Sequence, residues 1–255
     1  MELNRNTEVE SLHVSPPDAK PVLYAGAVEK AQISIYNEDC LQALKAMADK
    51  QFDLAIVDPE YGIDVANLTR TKGVAGRSKT FNQTIKHTYT PKDWDKERPS
   101  KEYFDELQRV SKNQIVWGGN YFADLLPPKK GWIFWDKTIT NANNTNFSDG
   151  ELAWTSFNCI LRRFTYDWIG FGYLNNPQGE KKIHPTQKPV SLYKWILENY
   201  AEKGSKILDT HLGSGSIAIA CWDMGYDLTA YEVDKEYYDN ACKRLETHKA
   251  QLTLW

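Results

Sequence analysis

The sequence predicts a single α/β domain built on a mostly parallel sheet, with a long insertion after its second strand. Residues 32–57 read as strand, helix, strand within the length of one βαβ unit. Residues 206–248 read as strand, glycine turn, helix, strand, helix. Strands joined by helices of this size pair in parallel through right-handed crossovers. Size agrees: 255 residues, 41% hydrophobic and 25% charged, suit one large domain carrying an insertion and exclude wholesale disorder, collagen or a coiled-coil rod.

Taken in order, residues 1–30 are polar, contain Pro16, Pro17 and Pro21, and lack sustained periodicity, so an arm, partly disordered, is expected. Gln32-Ile33-Ser34-Ile35-Tyr36 alternates as a strand. Leu41, Leu44, Met47 and Ala48 keep helical spacing, and Asp53-Leu54-Ala55-Ile56-Val57 is a short apolar strand. Periodicity then disappears from 63 to about 100. Residues 69–92 hold six basic residues (Arg70, Lys72, Arg77, Lys79, Lys86, Lys92) and no acidic one. A loop this long in a compact domain is usually functional or mobile. A helix near 101–112 follows, then strands at 114–117 and 132–135, a polar loop at 141–146, and β-like runs near 151–157 and 161–168. Tyr193, Ile196, Leu197 and Tyr200 mark one face of a helix with Pro189 near its first turn. Lys206–Asp209 and Leu228–Glu232 read as strands, 214–224 as a helix, and Asp234 to about His248 as the last helix.

Net charge is −3, with 31 basic and 34 acidic residues, which excludes a globally basic coat but allows a local basic patch. The four cysteines (Cys40, Cys159, Cys221, Cys242) form no C-x-x-C pair, so neither a metal site nor a disulfide framework is expected and the thiols read as reduced and mostly buried. No run approaches the ~18 apolar residues of a membrane span. The opening MELNRNTEVESLHVSPPDAK lacks the apolar stretch of a secretory signal. The expected compartment is the cytoplasm, with no membrane partner.

Two turns carry chemistry. Leu208-Asp209-Thr210-His211-Leu212-Gly213-Ser214-Gly215-Ser216 runs from a buried strand through a glycine turn into a helix. Gly213 and Gly215 let a ligand approach the backbone, and the helix behind offers free N–H groups. Glu232 ends the next strand, where a carboxylate can accept both hydroxyls of a ribose. With Ala218, the same pattern also fits a dinucleotide fingerprint, and an ordinary strand-to-helix turn is a third reading. The second turn, Val57-Asp58-Pro59-Glu60-Tyr61-Gly62, closes another apolar strand. Asp58 and the Pro59 carbonyl can accept the two N–H groups of a planar amine while Tyr61 stacks on its ring; a plain strand-ending turn is the alternative.

Together these residues resemble the amino-group DNA methyltransferases that use S-adenosylmethionine. Asp58-Pro59-Glu60-Tyr61 looks like their D/N/S-P-P-Y/F/W motif, and Asp209-Thr210-His211-Leu212-Gly213-Ser214-Gly215 resembles D-P-F-x-G-S-G. His184-Pro185-Thr186-Gln187-Lys188-Pro189 matches H-P-T-Q-K-P, and Asn37-Glu38-Asp39-Cys40-Leu41 is similar to G-D-C-L. The catalytic motif precedes the cofactor motif, the order of the β group. Two departures stand out. Glu60 replaces the second proline, and Thr210-His211-Leu212 replaces P-F-x.

The resemblance implies a Rossmann-like methyltransferase fold with circularly permuted motif order: an arm at 1–30, a methyltransferase domain at 31–250 with a target-recognition insertion about 63–180, and a tail at 251–255. It implies methyl transfer to N6 of a flipped-out adenine in double-stranded DNA, Asp at the first motif position favouring adenine over N4-cytosine. No cysteine follows a proline, which argues against C5-cytosine chemistry. Asp58, Pro59 and Tyr61 would act on the base. Asp39 would contact the cofactor adenine, Glu232 its ribose, Gly213 and Gly215 its methionine part, Thr186 and Lys188 its carboxylate, and Asp209 its ammonium group. Arg70, Lys72, Arg77, Lys79 and Lys86 would grip phosphates. Trp117-Gly118-Gly119-Asn120 resembles a loop bordering the active site; an ordinary turn is equally open.

Gln251-Leu252-Thr253-Leu254-Trp255 resembles the Q-L-S/D-L-F peptide that inserts into bacterial sliding clamps. A chain end packed on its own domain is the alternative. Two other functional classes remain: a non-catalytic homologue that holds cofactor or DNA, motivated by Glu60, and a nicotinamide oxidoreductase built on Gly213-x-Gly215-x-x-Ala218, which leaves the Asp58–Tyr61 turn unused. Whether the chain works as a monomer or a homodimer is not written in these motifs.

Overall fold

The computed structural model describes residues 22–25, 31–63, 97–137, 148–166, 168, 183–184 and 186–252. The N-terminal part contains β1 (Val22–Ala25), β2 (Gln32–Tyr36), α1 (Cys40–Ala46) and β3 (Phe52–Val57). Then come α2 (Lys101–Val110), β4 (Ser111–Trp117), a 3-10 turn at Gly119–Phe122, β5 (Trp132–Asp136), β6 (Gly150–Thr155) and β7 (Arg162–Thr165). The last part holds α3 (Val190–Tyr200), β8 (Lys206–Asp209), α4 (Ser216–Met224), β9 (Asp227–Tyr231) and α5 (Lys235–Leu252).

These strands form one nine-stranded sheet in the order β1-β2-β9-β8-β3-β4-β6-β5-β7. The central run from β2 to β4 is parallel throughout. Successive side chains of a strand face opposite layers, and the helices cover both. Leu54 and Ile56 of β3 join Ile115, Trp117 and Ile207 under Leu192, Ile196, Ile217 and Leu245 of α3, α4 and α5. Ala55, Val57, Val116 and Leu208 face Leu44, Phe104 and Leu107 of α1 and α2. Each fully buried Leu or Ile contributes roughly 1.5–3 kcal/mol. Local signals set the helix ends: Asp39 caps α1 by accepting from Leu41 N, Ser100 caps α2 from Tyr103 N, and Gly225 closes α4 in the left-handed region at φ 76°.

Strand order reverses between β8 and β3. From that point β9 and β2 extend one way and β4 the other. In open α/β sheets, ligands bind outside the carboxyl ends of the strands flanking such a reversal. The turns after β3 and β8, singled out from the sequence, are the two that flank it.

Several expectations need adjustment. Residues 22–25, assigned to the arm, form β1, which pairs antiparallel with β2 at the sheet edge. Within the stretch 63–180, α2 and β4 belong to the main layers: β4 pairs with β3 along its length, because Ile115, Val116 and Trp117 are apolar on both faces. The last helix continues past His248 to Leu252, so Gln251 and Leu252 are helical and not a detached tail. Thr253, Leu254 and Trp255 lie outside the described residues. Of the four free cysteines, Cys221 is buried and the other three are partly exposed.

Candidate active site

β3 and β8 are neighbours, with Leu54 opposite Ile207 and Ala55 opposite Leu208, so the turns that follow them rise side by side. In the first turn Pro59 is buried and Asp58 half-buried. Asp58 Oδ1 accepts from the Tyr61 hydroxyl at 2.7 Å, and Oδ2 accepts from Lys188 Nζ at 2.5 Å. Lys188 is almost wholly buried, its side chain 2% exposed, and its ammonium also lies 3.0 Å from Glu151 Oε2. The other Glu151 oxygen accepts from Lys137 at 2.5 Å. Burial alone would push the Lys188 pKa down, but Asp58 and Glu151 outweigh it and hold it up. Burial likewise pushes Glu151 up, but Lys188 and Lys137 prevail and bring it to about 2. The corner therefore holds the Lys188 ammonium between the acidic side chains of Asp58 and Glu151.

The Tyr61 ring stacks on Tyr121 with centroids 4.8 Å apart and meets Phe122 edge-on. Its close neighbour is Gly118, at φ 67°, where an added Cβ would fall 2.2 Å from Tyr61 Cε1. Glycine is needed there for the backbone angle and for the room. Gly118→Ala is expected to push Tyr61 out of place and to destabilise the fold by about 1–3 kcal/mol, as forced overpacking does. A melting curve would test this.

The second turn is held from β9. Leu212 N donates to Tyr231 O at 2.9 Å, and Gly213 N donates to Glu232 Oε2 at 2.8 Å. Glu232 Oε1 accepts from Asp234 N at 2.9 Å, so both oxygens are fixed yet keep lone pairs. Burial raises the Glu232 pKa, against the two N–H groups that lower it. Gly213 sits at φ 53°, and a Cβ there would come first against the His184 ring, at 3.7 Å, an ordinary van der Waals contact. Asp209 is buried and accepts from His211 N at 3.0 Å; burial raises its pKa to about 7, against the His211 N–H and imidazole that lower it.

The segment 183–189 joins the two turns. His184 Nδ1 accepts from Thr186 N at 3.3 Å and pairs with its hydroxyl at 3.1 Å, and the ring lies edge-on to Tyr237. Gln187 accepts from Ile183 N through Oε1 and from Trp168 Nε1 through its carbonyl. Thus the His184 end faces Gly213 and the Lys188 end holds Asp58.

The structure brings Asp58, Tyr61 and Lys188 into one corner and Asp209, Gly213, Gly215 and Glu232 into the adjoining one. Thr186 lies between them. The Lys188 ammonium, expected at a cofactor carboxylate, is engaged by Asp58 and Glu151. Asp39 is exposed at the start of α1, and its turn is tied to β9 by Asn37 Nδ2 donating to Glu232 O at 2.8 Å. Arg70, Lys72, Arg77, Lys79 and Lys86 lie outside the described residues. Glu151, Tyr121 and the close fit of Gly118 on Tyr61 escaped the sequence reading. The one available signal was a carboxylate in the otherwise apolar run Glu151-Leu152-Ala153-Trp154. Among the described residues, no His, Cys, Asp or Glu cluster is arranged to hold a metal, and no helix is long and apolar enough to cross a membrane.

Comparison with known proteins agrees with this geometry. The chain is 24% identical over 245 residues to the type II methyltransferase M.HpaI of Haemophilus parainfluenzae, spanning 82% of this chain and 73% of that one. It is 24% identical over 257 residues to the type II methyltransferase M.HinfI of Haemophilus influenzae, spanning 85% and 69%. Among solved structures, the M1.HpyAVI–SAM complex shares the fold with a TM-score of 0.51 at 21% identity, over 84% of this chain and 100% of that one. The cytosine-N4-specific PvuII DNA methyltransferase follows at 0.50 and 13%, over 87% and 91%. The fold is thus the Rossmann-like methyltransferase fold. Residues 67–243, starting beyond the Asp58–Gly62 turn, match the N6/N4 DNA methylase family, and the chain belongs to that family of DNA methyltransferases.

Proposed function

We propose that the protein transfers a methyl group from S-adenosylmethionine to the exocyclic N6 amine of adenine in double-stranded DNA. The observation that carries this reading is the pair of adjoining corners: Asp58 at the end of β3 and the glycine turn at the end of β8, bridged by His184–Lys188. The donor set suits the cofactor. Glu232 retains lone pairs for two ribose hydroxyls, buried Asp209 offers a carboxyl group to an ammonium, and Gly213 at φ 53° carries no side chain to crowd a ligand on its turn. Bound there, S-adenosylmethionine supplies an electrophilic methyl on a sulfonium.

The exocyclic amine is a poor nucleophile because its lone pair is delocalised into the ring. Asp58 and the Pro59 carbonyl accept its two N–H bonds, which favours a tetrahedral nitrogen and stabilises the positive charge that develops. Lys188 and Tyr61 orient the Asp58 carboxylate, each oxygen of which keeps lone pairs for the amine. Taking the base out of the duplex costs a few kcal/mol. Stacking on the Tyr61–Tyr121 pair offsets about 1–3 kcal/mol of it. The basic stretch 69–92 is assigned to phosphates. An Asp at position 58 favours adenine over cytosine by resemblance to the family pattern.

Methylation-aware sequencing of DNA from cells expressing the protein tests base and site together. N6-methyladenine at a fixed sequence is the expected result. N4-methylcytosine would reassign the base, and cofactor binding without any transfer would favour a binding-only role. The 251–255 peptide as a sliding-clamp ligand is a second proposal that rests on its resemblance alone, and α5 running through Gln251 and Leu252 weighs toward an end held by its own domain. Capture on immobilised clamp should fall at least tenfold on its deletion, and equal capture of both forms would reject this.

A further inference from the structure

The two departures from the family pattern are in contact. His211 Nε2 lies 3.1 Å from Glu60 Oε2, with both side chains largely buried. Thr210, the neighbour that replaces the usual proline, completes the line. Its hydroxyl meets His211 Nδ1 at 2.8 Å and the Tyr103 hydroxyl at 2.6 Å. The imidazole also lies edge-on to Tyr103, and its backbone N–H is fixed by Asp209. Three substituted positions on two turns, distant in sequence, thus form one connected polar unit with α2.

We propose that Glu60 and His211 form a paired device that fixes the spacing between the catalytic turn and the cofactor turn, with His211 a positioning residue for methyl transfer. The inference rests on the methyltransferase reading for its consequence, but the pairing is independent of which base is methylated. Glu60 projects from the turn that carries Asp58, and His211 from the turn that carries Asp209 and Gly213. A charged contact between them ties the amine-holding corner to the cofactor corner.

Geometry accommodates the imidazolium. The carboxylate at Nε2 can only accept, and the hydroxyl at Nδ1 has lone pairs to accept as well. Electrostatics agree. Burial would lower the His211 pKa, but Glu60 outweighs it and raises it to about 9, with Asp209 and Glu232 adding to the rise. Burial raises Glu60, but His211 prevails and lowers it, with a smaller contribution from His184. Tyr103 from α2 completes the ring of titratable groups around His211, and Cys40 at the start of α1 lies near Glu60 and Tyr103; burial holds both far above neutral.

Removing one member of a buried ion pair strands the other, whereas replacing both by apolar groups is often tolerated. The test is therefore a double-mutant cycle. Glu60→Pro and His211→Phe are each expected to lower kcat about tenfold or more, with a smaller change in KM for S-adenosylmethionine. The double variant should turn over faster than either single one. Glu60→Gln, which keeps the size of the side chain, guards against misfolding of the proline variant. In the wild type the cation persists until pH rises through about 9, so kcat should fall only beyond that point. In Glu60→Gln the fall should move at least about one pH unit toward neutrality. NMR titration of isotope-labelled histidine reads the same shift directly, without turnover. Additive effects in the cycle, or an unchanged His211 titration in Glu60→Gln, would overturn the proposal. A shifted titration in a protein that transfers no methyl group would instead refute the enzymatic reading and leave the pairing intact.

Discussion

Replacing Asp58 by Asn is expected to lower methyl transfer by about 10²–10³-fold, the usual loss when one group stabilising developing charge is removed. The wild-type carboxylate only accepts hydrogen bonds. It holds the Tyr61 hydroxyl on one oxygen and the Lys188 ammonium on the other. An amide can satisfy one of these, but its NH2 group then faces a donor, either Lys188 or the substrate amine. Affinity for S-adenosylhomocysteine should change less than about threefold, because the cofactor corner at Gly213 and Glu232 keeps its own hydrogen bonds. Radiolabelled transfer assays and calorimetric titration separate the two effects. Activity within tenfold of wild type would remove Asp58 from the role of amine acceptor.

Lys188→Met should have the largest effect on stability. The ammonium is the shared partner of Asp58 and Glu151 in a largely buried corner that also packs on the Trp117 ring. Methionine fits the stem but leaves two carboxylates facing each other, which costs about 3 kcal/mol or more. For a chain of this length that corresponds to a fall in Tm of about 6–12 °C. The pH dependence follows from Glu151. Its folded-state pKa is depressed to about 2, so its stabilising contribution is present above the ordinary carboxylate range and is lost as pH falls toward 2. In Lys188→Met that contribution shrinks, and melts between pH 3 and pH 8 should show a flatter acid limb. Unchanged melting would mean that Lys137 on Glu151 and the Tyr61 hydroxyl on Asp58 suffice to hold the corner.

What could be read from the sequence tracks how local each signal is. β2, α1, β3 and the β8–α4–β9 unit were legible because apolar runs, helical spacing and positive-φ glycines are written within a few residues of one another. β1 was not, since Val22-Leu23-Tyr24-Ala25 follows a proline-containing polar stretch and becomes a strand through pairing with β2. The site divides in the same way. The two turns carried their own motifs, so Asp58, Tyr61, Gly213 and Glu232 could be named. The bond from Lys188 to Asp58 spans 130 residues, and no local pattern marks it. Glu60 and His211 were each visible as departures, yet only the adjacency of β3 and β8 makes them partners.

The strand order also governs how the molecule can assemble. The α1 crossover carries the chain from β2 to β3 over two vacant places that β9 and β8 fill much later in the sequence. Until those strands arrive, β2 and β3 have no common neighbour, and their unpaired edges stay open. Pairings this distant in sequence make folding slow and leave such edges exposed to aggregation. A chain that ends before Lys206 would therefore lack both strands that join the β2 edge to the β3 edge, and its two groups of strands would have no ladder between them.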